Sequence, residues 1–238
     1  RVADLAGARA SYEKALPLYR QIEDRLGEAN VLKAMGDLLM RVADLAGARA
    51  SYEKALPLYR QIEDRLGEAN VLQAMGDLLM RVADLAGARA SYEKALPVYR
   101  EIEDRLGETN VLLRMGDLLM RLADLAGARA SYEKALPIYR EIEDRLGQAN
   151  VLTGIGRVAL AEDNQADADR LLEQAIAIYQ TFEDRYSIAA QTGNYGWALR
   201  QLGQPEKAKP YLLRAADLFA EMGWEDYAER HRKVAEND

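Results

Sequence analysis

The amino-acid sequence predicts an all-α chain of stacked antiparallel helical hairpins. Three observations predict it: a 40-residue self-identity, apolar residues recurring at helical spacing within each copy, and the absence of the apolar–polar alternation of strands. Residues 1–40 and 41–80 differ only where Lys33 becomes Gln73, block 81–120 departs from its predecessor at five places, and 121–160 keeps step to about residue 155. Weaker copies continue in register, with Gly36, Gly76, Gly116, Gly156 and Gly196 spaced by 40, as are Ala48, Ala88, Ala128, Ala168 and Ala208. A unit of this length buries its apolar face by stacking on its neighbours.

Residues 1–27 form a half repeat that supplies only the second helix of a hairpin, helix B. Its missing first helix leaves parts of Leu5, Tyr12 and Tyr19 uncovered, which predicts self-association through this uncapped end; the chain reads as a fragment of a longer array. Hairpins follow at 28–67, 68–107, 108–147, 148–187 and 188–224. In the first of them Val31, Leu32, Met35, Leu38, Leu39 and Val42 give helix A a stripe over about 28–43. Asp44 caps helix B, whose stripe runs through Leu45, Ala48, Tyr52, Ala55, Leu56, Tyr59, Ile62 and Leu66. Gly67 suits a left-handed stop after helix B, and Glu68 complements the positive first turn of the next helix A. Pro57, with Pro17, Pro97 and Pro137, falls inside helix B and predicts a kink or, alternatively, a break into two helices. Residues 225–238 close with a capping helix over Glu225 to Ala235.

Composition excludes several function classes. A formal charge of −7 opposes binding to a phosphate backbone, so no nucleic-acid partner is expected. No apolar run reaches membrane-spanning length. The chain has no cysteine, which fits a reducing, cytoplasmic setting, and one histidine, His231, too few for a histidine relay or a multi-histidine metal site. The recurring Glu63, Asp64 and Arg65 read as a solvated helix end, not as an acid–base pair. No reaction, metal or cofactor is expected.

With Gly36 set as the eighth residue of a motif, Leu32 stands at four, Met35 at seven, Leu39 at eleven, Leu45 at seventeen, Ala48 at twenty, Tyr52 at twenty-four and Ala55 at twenty-seven. This pattern resembles the tetratricopeptide repeat over essentially the whole chain. Glycine at eight and alanine at twenty let helices A and B approach, and alanine at twenty-seven makes room for the next helix A. The sequence departs from the usual 34-residue form in its longer helix B and in lacking tryptophan at four and proline at thirty-two. It is similar to the 40-residue variants found in multidomain bacterial signalling proteins and ATPases. HEAT-like helical pairs share the length, while the Gly36 and Ala48 pattern favours the tetratricopeptide class. The resemblance implies a right-handed superhelical solenoid whose concave face, lined by helix A, contacts a protein or peptide.

The copies identify candidate contacts by internal comparison. Lys33, Gln73, Leu113 and Thr153, with the neighbouring Ala34, Ala74, Arg114 and Gly154, are the most varied slots. They share the polar face of helix A with a constant ladder of Asn30, Asp37, Met40 and Arg41, repeated as Asn70, Asp77, Met80 and Arg81 and as Asn110, Asp117, Met120 and Arg121. Drift at exposed sites explains variation equally simply, but Lys14, Lys54, Lys94 and Lys134 have not drifted. Asp37 and Arg41 also suit an intrahelical pair worth about 0.2–0.5 kcal/mol. Met40, Met80 and Met120 read either as filler or as an adaptable apolar rail. Towards the C-terminus Arg157 and Trp197 replace the aspartate and Arg200 the methionine; Trp197 reads either as a contact or as core-facing in an end repeat, and with Arg114 these residues make the groove locally positive, favouring an acidic or aromatic-containing peptide. A carboxylate-gripping subclass of the family uses lysine at five and asparagine at nine; here Asp37 follows Lys33, so that function is not carried over. The alternative function is a spacer or self-associating scaffold without a groove ligand.

Overall fold

The computed structural model describes residues 2–236, with side chains described from Leu5 onward. These residues form twelve helices and no strand. The helices are α1 (Val2–Gln21), α2 (Arg25–Arg41), α3 (Leu45–Gln61), α4 (Arg65–Arg81), α5 (Leu85–Glu101), α6 (Arg105–Arg121), α7 (Leu125–Glu141), α8 (Arg145–Ala161), α9 (Gln165–Gln180), α10 (Arg185–Gln201), α11 (Pro205–Glu221) and α12 (Glu225–Glu236). Even-numbered helices are of the A type and odd-numbered ones of the B type. Two compact units divide the chain, residues 1–118 and 119–238. In the first, α1 to α5 pack each on the next and α2 also touches α4; in the second, α7 to α12 do the same and α8 touches α10.

The turns correct the expected boundaries. Helix B ends at Gln61, and the left-handed stop is Glu63, with φ +57°, rather than Gly67. Amide donation from Asp64 to the Tyr59 carbonyl and from Glu63 to the Arg60 carbonyl closes the last turn in the manner of a Schellman motif. Asp64 then caps α4 by accepting from the Gly67 amide. Gly67 therefore lies in the first turn of helix A, and its reason is close approach: a Cβ there would stand 2.2 Å from Tyr59 Cδ1. The same construction joins A to B, where Ala43 has φ +61° and Asp44 accepts from the Gly47 amide.

The core repeats with the turns. Tyr52, Tyr59, Tyr92 and Tyr99 are almost wholly buried, as are Ala48, Ala55, Ala88 and Ala95. A Cβ on Gly76 would meet Tyr92 Cε1 at 2.3 Å, so the glycine at motif position eight accommodates the tyrosine at twenty-four. Met40 and Met80 are half-buried and pack against this core, so they act as filler. Tyr12 and Tyr19 on α1 are only half-buried. α3 runs unbroken through Pro57, which removes the two-helix alternative. The Glu53 carbonyl that loses its donor to Pro57 belongs to an exposed residue, where water can serve it. α12 spans the expected capping segment.

A candidate partner-binding face on the A helices

The constant members of the ladder are occupied in holding the fold. Tyr59 Oη on α3 donates to Asn30 Oδ1 at 2.7 Å, and Tyr52 Oη donates to Asp37 Oδ1 at 2.8 Å. In the next hairpin Tyr99 Oη donates to Asn70 Oδ1 at 2.8 Å, with Gln73 Oε1 3.0 Å away sharing the same proton, while Tyr92 Oη donates to Asp77 Oδ1 at 2.7 Å. The repeat in the second unit retains one of these rungs, Tyr179 Oη to Asn150 Oδ1 at 2.7 Å. Each buried phenol thus reaches through the hairpin to a polar group on the face of helix A. Sequence reasoning assigns the tyrosines to the core but misses these partners; the signal is that tyrosine, never phenylalanine, fills the slots in the near-identical copies.

The intrahelical Asp37–Arg41 pair is replaced by other contacts. Lys33 Nζ lies 2.7 Å from Asp37 Oδ2, so the two carboxylate oxygens serve Lys33 and Tyr52. This is the neutralisation that argues against a lysine-and-asparagine carboxylate grip. Arg114 Nε stands 3.5 Å from Asp77 Oδ1, and Arg81 Nη1 donates to the Met40 carbonyl at 2.6 Å, closing the end of α2. Burial raises the Asp77 carboxyl pKa above its ordinary value, and Arg114 and the Tyr92 hydroxyl oppose that shift.

The remaining candidates divide by exposure. Asn30, Arg41, Arg81, Arg114, Arg121 and Arg157 are exposed. Lys33, Asn70, Gln73, Asn110, Leu113, Asp117, Trp197 and Arg200 are half-buried. Thr153 is the correction: it is buried, donates to the Ala149 carbonyl at 3.0 Å, and offers no open contact. Its hydroxyl is turned into the hairpin, to the Ala149 carbonyl and against the buried Tyr179 hydroxyl, and only a small cleft lies beside it, lined also by Gly156, Arg157, Leu172, Gln191 and Tyr195. Trp197 carries the Arg230 guanidinium 5.4 Å from its ring centroid, so its face is already engaged by a cation.

The Glu63, Asp64 and Arg65 cluster is structural. Besides the Asp64 cap, Arg65 pairs with Glu68 at 2.5 Å and Glu101 at 2.6 Å, and Arg60 reaches Glu68 at 2.8 Å. The equivalent Glu28 carboxyl is held below its ordinary pKa, first by the hydrogen bond from Arg20 and also by Arg25. Among the described residues no three histidine, aspartate or glutamate side chains gather as metal ligands, and no helix is long and apolar enough to cross a membrane.

Two family models described as tetratricopeptide repeat match the chain, one at residues 1–61, 29–101 and 108–181, the other at 193–221. No curated protein matches. Among solved structures, BtubC (BKLC) from P. vanneervenii superposes with a TM-score of 0.76 at 19% identity, covering 92% of each chain. The apo form of RapI gives 0.75 at 14% identity over 97% of this chain and 90% of its own. The Rap conjugation gene regulator of the plasmid pLS20, in complex with the Phr* peptide, gives 0.63 at 16% identity over 95% and 68%. At these identities the likeness establishes the fold.

Proposed function

The chain belongs to the tetratricopeptide repeat family, and from that premise we propose that it binds a protein or peptide partner along the exposed face of its A helices and performs no reaction of its own. One observation carries the reading. Where the first repeats differ in side chains on this face, the changes fall at Lys33, Gln73, Leu113 and Arg114, while the neighbouring Asn30, Asn70, Asp37 and Asp77 are committed to buried tyrosines. A fixed frame with variable side chains between its rungs is what recognition by many modest contacts requires. The peptide held by the pLS20 Rap protein is a precedent from a similar fold.

An acidic or aromatic-containing peptide remains the preferred ligand. Arg114 is half exposed and its contact with Asp77 is long, and exposed pairs of this kind are worth at most about 1 kcal/mol, so an incoming carboxylate competes for the guanidinium. Within the second unit Arg157 and Arg200 give the A helices a basic character of their own, and a cytoplasmic location fits the cysteine-free composition. The test is peptide-library capture by the chain and by a Lys33→Ala, Gln73→Ala, Arg114→Ala variant of unchanged helix content. Loss of most captured peptides is expected; equal capture by both turns the reading to a spacer. Half-exposed Leu5, Tyr12 and Tyr19 favour self-association as a second reading, and a monomeric mass by sedimentation at high concentration removes it.

A further inference from the structure

Within each unit the turns that lead from helix B to helix A form an apolar edge distinct from the polar face of the A helices. Leu66, Leu106, Leu146 and Tyr186 occupy the same slot and are 46–50% exposed, so this exposure is a property of the edge in each repeat. In the second unit the edge becomes aromatic. Buried Phe219 is a hub, with the ring centroids of Trp224 at 6.2 Å, Tyr227 at 5.4 Å and Tyr186 at 6.4 Å. The outer rings also meet one another, Tyr186 with Trp224 at 5.3 Å and Trp224 with Tyr227 at 5.5 Å. All three are 43–50% exposed, which makes a continuous aromatic surface.

Its surroundings are acidic. Glu183 precedes Tyr186 by three residues, and Glu225 and Asp226 lie between Trp224 and Tyr227; all three carboxylates are exposed. The cations nearby are Arg185, paired with Glu221, Arg232, 4.0 Å from Glu225 and 3.9 Å from Asp217, and Arg230, over Trp197, and the carboxylates Glu183, Asp217, Glu221, Glu225 and Asp226 outnumber them. Aromatic faces carry negative potential and attract cations, arginine most readily because its planar guanidinium also stacks. The Arg230–Trp197 contact is an instance of that chemistry within the same unit.

We propose that this aromatic edge is a second docking surface whose occupant is a basic peptide segment, with arginines stacking on Tyr186, Trp224 and Tyr227 and the rim carboxylates adding charge complementarity. The surface is separate from the variable positions of the A helices, so it stands or falls independently of the function proposed above.

The probe is a fluorescent peptide alternating glycine and arginine, titrated by anisotropy at low salt, beside matched peptides carrying citrulline or glutamate in place of arginine. Binding of the arginine peptide is expected to weaken about tenfold with citrulline and to vanish with glutamate. Tyr186→Ser with Tyr227→Ser weakens it by a similar factor, Glu225→Gln with Asp226→Asn by several-fold, and Lys33→Ala with Arg114→Ala leaves it unchanged. Should Tyr227→Ser release α12, seen as lost helix by circular dichroism, Tyr186→Ser on α10 carries the comparison alone. Absence of binding, equal affinity for the citrulline peptide, or indifference to the Tyr186 and rim substitutions overturns the proposal.

Discussion

In the N-terminal repeats a glycine and a tyrosine share one space, and their exchange later in the chain gives a direct test. A Cβ on Gly76 would lie 2.3 Å from the buried Tyr92 ring, whereas one on Gly156 meets nothing closer than 3.5 Å because Leu172 replaces the tyrosine. Gly76→Ala therefore overpacks a closed contact and is expected to lose about 1–3 kcal/mol in denaturant titration. Gly156→Ala gains the helix preference of alanine without a clash, up to about 1 kcal/mol. Loss of similar size at both sites would remove the tyrosine as the cause. Tyr92→Phe probes the other end of the same ring. It takes a donor from Asp77, costs about 1–2 kcal/mol, and moves the Asp77 carboxyl further up from its ordinary 3.8, since the Tyr92 hydrogen bond now opposes that shift. Titration of the carboxyl carbon by NMR reads the direction. Steric needs of this kind are legible in sequence because glycine and alanine recur at fixed positions. The hydroxyl partners are not, because Tyr59 finds Asn30 across 29 residues, through a turn whose position the apolar stripe leaves open.

The turn is the element at which sequence and structure part. Apolar periodicity continues through Ile62 and Leu66, so it extends helix B past its end and makes Gly67 read as a stop. The distinguishing pattern is present all the same: Asp44 with Gly47 and Asp64 with Gly67 repeat one construction every 20 residues, an aspartate cap followed by a glycine whose amide it accepts. Among the described residues the left-handed residue is non-glycine at nine turns, eight of them before an aspartate, as at Glu63 and Ala83, and one, Asp163, before Asn164, while Gly203 and Gly223 fill the equivalent slots near the C-terminus. A left-handed L-residue costs roughly 1–2 kcal/mol, and glycine returns part of that as unfolded-state entropy. Ala83→Gly, with φ +61°, is thus expected to stabilise by about 0.5–1 kcal/mol, read as a higher denaturation midpoint at unchanged slope. A lower midpoint would mean that the turn holds alanine for a contact rather than for want of glycine. The period and the pairing of helices are legible from self-identity alone, since identical blocks must fold alike; the candidate face is legible only in its variable members, since its constant members are constant for the sake of the core.

At the scale of the molecule the same tyrosines set a limit in alkali. Tyr52, Tyr59, Tyr92 and Tyr99 in the first unit and Tyr179, Tyr195 and Tyr211 in the second all have phenol pKa values pushed up, in each case first by burial. Several of these phenols also donate to a carboxylate that would repel the phenolate: Tyr52 to Asp37, Tyr92 to Asp77, and both Tyr195 and Tyr211 to Asp169. For Tyr59 and Tyr179 the pKa is pushed up to about 12, against 10.0 for the ordinary phenol. The neutral ring is therefore favoured by folding. Its contribution is present in full below pH 10, where folded and unfolded chains are both protonated, and is lost as pH rises through the folded value near 12. Two pH units correspond to roughly 3 kcal/mol for an enclosed phenol; with the hydroxyls directed to the half-exposed face of helix A, on the order of 1 kcal/mol each is the working figure. Summed over several tyrosines this is comparable with the whole stability of a small domain. Thermal unfolding is accordingly expected at a nearly constant temperature from neutrality to about pH 9.5, then at steeply falling temperature between about pH 10 and 12. Tyrosinate absorbance should rise together with loss of helix. Nearly full tyrosinate absorbance at about pH 11 with the helices intact would mean that these hydroxyls are open to solvent, and the rungs that tie helix B to the face of helix A would go with them.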